Sequence, residues 1–411
     1  MSHVIVFSTD RIGRAMAGPG IRAWEIARTL AEDYAHTVTL ALPHGTDLTH
    51  PSIQIYPYVP RTPYQFTQIL SRADCVIGQG FVFADHPEIL HHELPVAVDL
   101  YDPLILESLD LYAHSDLHAA QQQHQVYQQL TNQLLIRGDF FFCATARQRD
   151  YWLGALTAAG RINPAVARRV DRDLLELLGL VPSGIPNIPP TASPTPVLRG
   201  KHPAIPAQAF LLLWAGGLWD WFDPDIIIRT VANLRSTLPD LRLCFFAGAR
   251  PNPDGPPFRT RTAVNARRLA EELGVLNREV IFLDDWIDYE QRGAYLAEAD
   301  VGVSAHRSGV ETRLAFRTRM LDYIWAGLPV VASSGDSLSE ELARAEATLI
   351  VAPNDQQGWE QAVERLYTDQ TLRASCRLHM KNFVRMYIWK QVVAPIARWC
   401  DAPSRTSLLS D

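Results

Sequence analysis

Short runs of β-branched and aromatic residues alternate along this chain with longer stretches whose apolar positions recur every three to four residues. Runs of the first kind fall at 3–8, 37–42, 75–78, 96–100 and 140–144, then again at 210–215, 242–247, 280–283, 301–304 and 329–332. They are almost uniformly apolar, as strands covered on both faces must be. Helical spacing fills the gaps, at 21–32 and 117–135 in the first half and at 224–236, 262–273, 291–297, 319–326 and 357–367 in the second. Strand–helix–strand alternation does not close by hairpins, so it predicts parallel sheets with helices on both faces. The expected fold class is α/β, with two Rossmann-like doubly wound domains facing across a cleft. Ligands of such sheets sit beyond the carboxyl ends of the strands, which puts the expected site in that cleft.

One segment breaks the alternation. Within 181–206 (VPSGIPNIPPTASPTPVLRGKHPAIP) prolines recur every few residues, removing amide donors and favouring extended or turn backbone. The expected organisation is an N-terminal domain at 1–185, a proline-rich linker at 186–206 and a C-terminal domain at 207–380. A tail at 381–411 follows. Its residues 382–400 (NFVRMYIWKQVVAPIARWC) carry apolar side chains at helical spacing around Pro395, and predict a kinked helix packing back on the N-terminal domain.

Composition narrows the function classes. With 411 residues, 47% hydrophobic and 20% charged, the chain is ordinary globular material and long enough for more than one core. A net charge of −7 lacks the basic footprint of a nucleic-acid binder. Five dispersed cysteines with no CxxC pair suit reduced thiols rather than a disulfide frame or zinc site. A strand-like run begins at residue 4, leaving no room for a signal peptide, and no apolar run approaches the ~18–20 residues that span a bilayer. A cytoplasmic protein with at most peripheral membrane contact is expected.

The candidate chemistry lies on loops that follow strands. After the first strand comes Gly18-Pro19-Gly20 at a helix start, where glycines let backbone amides approach an anionic or sugar ligand; a plain structural turn explains the same residues. The GxGxxG fingerprint is incomplete and the second strand is followed by no ribose-binding acid, which argues against a dinucleotide site. In the second half, Trp214-Ala215-Gly216-Gly217-Leu218-Trp219-Asp220-Trp221-Phe222-Asp223-Pro224 leads from strand to helix. Later, Glu311-Thr312-Arg313-Leu314-Ala315-Phe316-Arg317-Thr318-Arg319 precedes Asp322 and then Trp325-Ala326-Gly327-Leu328-Pro329-Val330-Val331. His114 and His118 have helical i,i+4 spacing, but no carboxylate completes a metal site, so a solvated face is the better account.

These runs, in this order, resemble the GT-B glycosyltransferases, and within them the large retaining family 4; Trp219–Pro224, Phe316–Arg319 and 139–154 resemble a recurrent bacterial subgroup. The resemblance implies transfer of a sugar from a nucleotide-sugar donor without a metal or other cofactor. It also locates departures. Where the family offers an Arg and, five residues on, a Lys to the donor pyrophosphate, this chain has Gly217 and Phe222. Of the family's two Glu separated by seven residues, the second falls on Asp322 and the first on Leu314, with Glu311 as the substitute acid of the same loop.

The resemblance therefore implies a donor site built from Gly18, Gly20, Gly216, Gly217, Trp219, Arg250, Trp286, Ile287, Arg313, Arg317, Arg319 and Asp322, with Asp102, Tyr101 and Glu311 nearest the chemistry. Asp322 is expected on the donor ribose, and at least one of Arg313, Arg317 and Arg319 on the diphosphate. Each has a bland alternative: Trp219 as core filling, Arg250 as a solvated strand end, Trp286 as core packing, Glu311 as a loop cap, the arginines as bracing ion pairs. The expected partners are an NDP-sugar and a small-molecule, lipid-linked or saccharide acceptor. Two rival readings stay open: a non-catalytic sugar- or nucleotide-binding partner of an assembly, and a GT-B nucleotide-sugar epimerase.

Overall fold

The computed structural model describes residues 1–62, 64–113, 115–246, 248 and 259–406. They divide into two compact units, Met1–Gly184 with Trp389–Asp411, and Ile185–Ile388. Each unit is built on one sheet whose strands pair in parallel, as the alternating pattern requires.

In the first unit the strands are β1 (His3–Phe7), β2 (Thr37–Pro43), β3 (Ile53–Tyr58), β4 (Cys75–Gly78), β5 (Val96–Asp99), β6 (Phe140–Cys143) and β7 (Leu178–Leu180), in the order β3-β2-β1-β4-β5-β6-β7. The order reverses between β1 and β4. Its core gathers Ile5, Val76, Val98, Phe141, Trp152 and Leu178. In the second unit β8 (Phe210–Trp214), β9 (Leu241–Phe246), β10 (Val280–Leu283), β11 (Val301–Ser304), β12 (Val330–Ser333) and β13 (Thr348–Val351) run in the order β10-β9-β8-β11-β12-β13. Here the reversal lies between β8 and β11. Trp214, Ile227, Phe245, Val303 and Trp359 form the heart of that core.

The proline-rich stretch lies on the second unit rather than hanging free. The Glu298 carboxylate accepts the amides of Val197, Leu198 and Arg199 at 2.5–3.0 Å, and the Trp325 indole donates to the Ile188 carbonyl at 2.7 Å.

The tail differs from the single kinked helix expected over 382–400. A helix Gln370–Val384 ends in a 3₁₀ turn Arg385–Tyr387; Ile388 is extended, and a new helix Trp389–Asp401 begins. The backbone explains the break: the Ile185 amide donates to the Tyr387 carbonyl at 2.7 Å, and Ile388 bridges Ile185. Those bonds take backbone groups that a continuous helix needs for itself. Trp389–Asp401 then packs on the helix Gly18–Glu32 of the first unit, and the Ser2 hydroxyl donates to the Cys400 carbonyl at 2.6 Å.

Candidate functional site

At the carboxyl end of β8 the chain must turn away from a buried Trp214. Gly216 does so at φ +128, a region L side chains rarely enter, and Gly217 is exposed beside it. The turn is bolted from below by Tyr323, on the helix Thr318–Ala326. Its hydroxyl accepts the Ala215 amide at 3.0 Å and lies 2.8 Å from the Leu213 carbonyl and 3.0 Å from that of Val303. That helix ends where the sequence requires, on Gly327 in the left-handed region at φ +63.

Arg319, on the first turn of the same helix, reaches under the loop. Its Nη2 donates to the Gly217 carbonyl at 2.7 Å, and its guanidinium lies 4.3 Å from the Trp214 ring centre and 4.0 Å from that of Phe222. The aromatic at the position of the family's Lys is thus the platform for this Arg. Arg319 is 7% exposed, its Nη1 has no hydrogen-bond partner, and no carboxylate pairs with it among the described residues. Burial, and then the neighbouring Arg317 charge, pushes its pKa down to about 9, with Tyr323 acting the other way.

The rest of the basic cluster behaves differently. Arg317 forms a two-pronged ion pair with Glu311, both contacts at 2.7 Å and both side chains buried. The Glu311 carboxylate is therefore taken up by an arginine of its own loop, the bracing arrangement that sequence left open. Arg313 is exposed. Asp322, half-buried, accepts from Arg292 Nε at 3.0 Å, and that guanidinium is sandwiched between the rings of Tyr289 and Trp325.

Trp286 and Ile287 are half-buried on the loop after β10, and Gly248 lets the end of β9 approach that loop. A Cβ there would stand 2.8 Å from the Asp285 carbonyl group and the Trp286 amide. Trp219 stacks on Trp221 at 5.5 Å and 13°, packing at the edge of the core. Arg250 and His114 lie outside the described residues. His118 is exposed and bonds Gln122.

Sequence reasoning missed His306, which follows β11. It is 1% exposed, with Nε2 3.9 Å from Asp336 Oδ2 and 3.3 Å from the Ser334 carbonyl, and Nδ1 without a partner. Burial, then the Arg317 charge, pushes it down to about 3, so the ring is neutral. Burial shifts Asp336 upward. No motif spacing marks this pair, because His306 and Asp336 belong to different strand ends.

In the first unit, Gly20 must be glycine: a Cβ would stand 2.4 Å from the Arg11 carbonyl oxygen. Around Gly18 nothing lies within 4 Å of that position. Tyr101 is buried at the end of β5, with burial and Asp102 pushing its phenol up, and the half-buried Asp102 accepts from Gln79 Nε2 at 3.1 Å. Beside them is a second unforeseen pair, Arg22 with Asp99 at 2.6 Å, 77 residues apart and fully buried. Among the described residues no group of three or more His, Cys, Asp or Glu is placed to hold a metal ion, and no helix is long and apolar enough to cross a membrane.

Comparison with known proteins bears on this geometry. Residues 209–369 match the family described as Glycosyl transferases group 1. A D-inositol 3-phosphate glycosyltransferase of Stackebrandtia nassauensis is 27% identical over 227 residues, 53% of this chain and 48% of that protein. Its namesake from Corynebacterium aurimucosum is 27% identical over 232 residues, 53% of this chain and 51% of that one. The matches thus span about half the length of these relatives.

Solved structures match along nearly the whole chain. Sucrose-phosphate synthase from Thermosynechococcus elongatus has a TM-score of 0.66 at 14% identity, covering 97% of this chain and 98% of that one. Anabaena HepE in complex with UDP-glucose has 0.67 at 13%, covering 98% and 100%. At such identities the likeness is one of fold, and the fold is GT-B. The chain accordingly has the GT-B fold, and the segment that carries its Gly216–Gly217 loop, Arg319 and Asp322 matches the glycosyl transferases group 1 family.

Proposed function

We propose that the protein is an NDP-sugar-dependent glycosyltransferase. The observation that carries this reading is Arg319: a buried guanidinium whose Nη1 has no partner and which no carboxylate pairs among the described residues, at the start of a helix and beneath a glycine turn. A helix N-terminus and an Arg fork together favour a phosphoryl oxygen. Transfer breaks the bond between the anomeric carbon and the diphosphate, forms one from the acceptor oxygen and releases the acceptor proton; the diphosphate leaves with the electron pair. The protein must stabilise that departing charge, and the cations absent at Gly217 and Phe222 are replaced here by Arg319. In this reading Asp322 takes the ribose in exchange for Arg292, Trp286 and Ile287 border the base, and Asp102 at the end of β5 orients the acceptor. Transfer with retention belongs to the same proposal.

The first donor to test is UDP-glucose, since HepE is described in complex with it. UDP-, GDP-, ADP- and TDP-glucose are titrated into the protein and nucleotide release is followed over hours. Saturable binding with slow release supports the reading, and proton NMR of the product's anomeric signal reports retention. Binding without any turnover, in the presence of acceptor sugars and polyols, supports the non-catalytic reading that Gly217 and Phe222 suggest. Absence of binding to all four donors overturns both.

A further inference from the structure

Arg292 opens the short helix Arg292–Ala297, just after the loop that follows β10. Its Nε donates to Asp322 Oδ1 at 3.0 Å and its Nη1 to the Tyr289 carbonyl at 2.6 Å. The guanidinium lies 3.8 Å from the ring centre of Tyr289 and 4.5 Å from that of Trp325. Trp325 is itself fixed, its indole donating to the Ile188 carbonyl, and Gly293 leaves room for it: a Cβ there would stand 3.1 Å from carbons of both Trp325 and Pro190. A planar guanidinium bonded to a carbonyl and held between two rings has lost most of its rotamer freedom before any ligand arrives. The pair is nonetheless open to solvent, with side-chain exposures of 12% for Arg292 and 26% for Asp322.

Place along the helix says what reaches the pair. Asp322 comes three residues after Arg319 on the helix Thr318–Ala326, so the two are neighbours on one face, about 5–6 Å apart at Cβ. Arg319 bonds the carbonyl of Gly217, while Arg292 is joined through Tyr289 to the loop that carries Trp286 and Ile287. Arg319, then Asp322 with Arg292, then that loop follow the order of diphosphate, pentose and base in a nucleoside diphosphate. A carboxylate only accepts hydrogen bonds and a guanidinium only donates them; side by side they suit a hydroxyl, which does both. We propose that Arg292 is a specificity-determining residue of the donor site. A ribose hydroxyl enters between Arg292 Nε and Asp322 Oδ1, accepting from the guanidinium and donating to the carboxylate, so the pair selects ribonucleotides over deoxyribonucleotides; this assignment rests on the function proposed above.

The test titrates the whole chain by calorimetry with UDP, GDP and ADP, with the 2′,3′-dideoxy counterpart of each, and with TDP. The wild type is expected to bind a ribonucleotide about tenfold or more tighter than its dideoxy counterpart, as loss of a hydrogen bond to charged groups requires. Arg292→Met keeps bulk between the two rings and removes the donors. It is expected to weaken the ribonucleotide about tenfold and to leave the dideoxy affinity unchanged. Arg292→Lys keeps a charged donor and is expected to fall between the two; should Arg292→Met fail to fold, as thermal unfolding would report, the lysine variant carries the comparison. Equal affinity of the wild type for the two forms overturns the assignment. So does undiminished ribonucleotide binding by Arg292→Met, which would make the arginine a mere occupant of Asp322, or an equal loss for both forms, which would make it a brace for the loop. A wild type that binds only TDP, a deoxyribonucleotide, overturns the role of Arg292 and leaves the transferase reading standing. Binding of none of the four nucleotides overturns both.

Discussion

Three arginines close in sequence, Arg313, Arg317 and Arg319, are indistinguishable by type and separable by environment. Arg317 and Glu311 are a closed pair, so Arg317→Ala leaves a buried carboxylate unpaired and is expected to cost about 3–5 kcal/mol of stability. Arg313 is exposed, and Arg313→Ala is expected to change neither stability nor rate appreciably. Arg319→Met keeps much of the bulk over Trp214 and Phe222 but removes the cation. It is expected to lower kcat/KM for the donor about ten- to a thousandfold. Steady-state kinetics and denaturant unfolding on all three decide it; a near-normal rate for Arg319→Met places the diphosphate elsewhere. His306 sets a pH dependence. Its folded value near 3 lies below the ~6.5 of an unfolded imidazole, so below about pH 6.5 the unfolded chain binds a proton that the fold refuses. The contribution is whole above that pH and drains as pH falls towards about 3. Asp336, shifted up, acts in the opposite sense as it protonates. Between about pH 6.5 and 4, Tm should fall more steeply in the wild type than in His306→Asn. Parallel slopes would remove His306 from the account.

Element by element, legibility followed position in the sheet. The nine interior strands β1, β2, β4, β5, β6, β8, β9, β11 and β12 are mostly apolar runs, and all nine stood out in the sequence. Of the four edge strands, only β10 did. The unread edges were β3, which carries Pro57, β7, with three residues, and β13. An edge strand bonds on one side and is free to be short or to contain proline, so it leaves a weak pattern. The site was legible where residues are near in sequence, as Glu311 is to Arg317. It was not legible where elements distant in sequence bring together Arg22 and Asp99, Arg292 and Asp322, or His306 and Asp336. The helix Thr318–Ala326 joins both kinds of information through Tyr323. Its single hydroxyl serves β8, β11 and the amide just before Gly216. Tyr323→Phe opens those bonds inside the core and is expected to cost about 1–3 kcal/mol. Because Ala215 is then released, UDP affinity should fall as well. Lower stability with unchanged affinity would show that the bolt holds the sheet and not the loop.

At the scale of the whole molecule, the chain leaves its first unit at Gly184 and supplies that unit's last pieces only after the second is complete. The helix Trp389–Asp401 buries Trp389, Val392, Val393, Ile396 and Cys400. Beyond it, the Thr406 amide donates to Asp139 Oδ1 at 2.8 Å and Arg161 donates to the Thr406 hydroxyl at 3.1 Å. Near the start of the chain, the Tyr34 hydroxyl donates to the Lys390 carbonyl at 2.7 Å. Each large apolar side chain removed from such a surface is worth about 1.5–3 kcal/mol, so losing this helix forfeits an amount comparable to the ~5–15 kcal/mol of a typical domain. The second unit, Ile185–Ile388, contains none of these residues. A chain ending at residue 388 is therefore expected to lose order in its first unit and to keep it in the second. Limited proteolysis of that truncated chain should leave a protected fragment beginning near residue 185, and UDP should slow its further cleavage if the Gly216–Gly217 loop and Arg319 hold the nucleotide. Equal protection of both units would show that the first unit's own core is sufficient without its C-terminal helix. Protection of the second unit with no effect of UDP would separate the folding argument, which stands, from the assignment of the nucleotide to that loop, which falls.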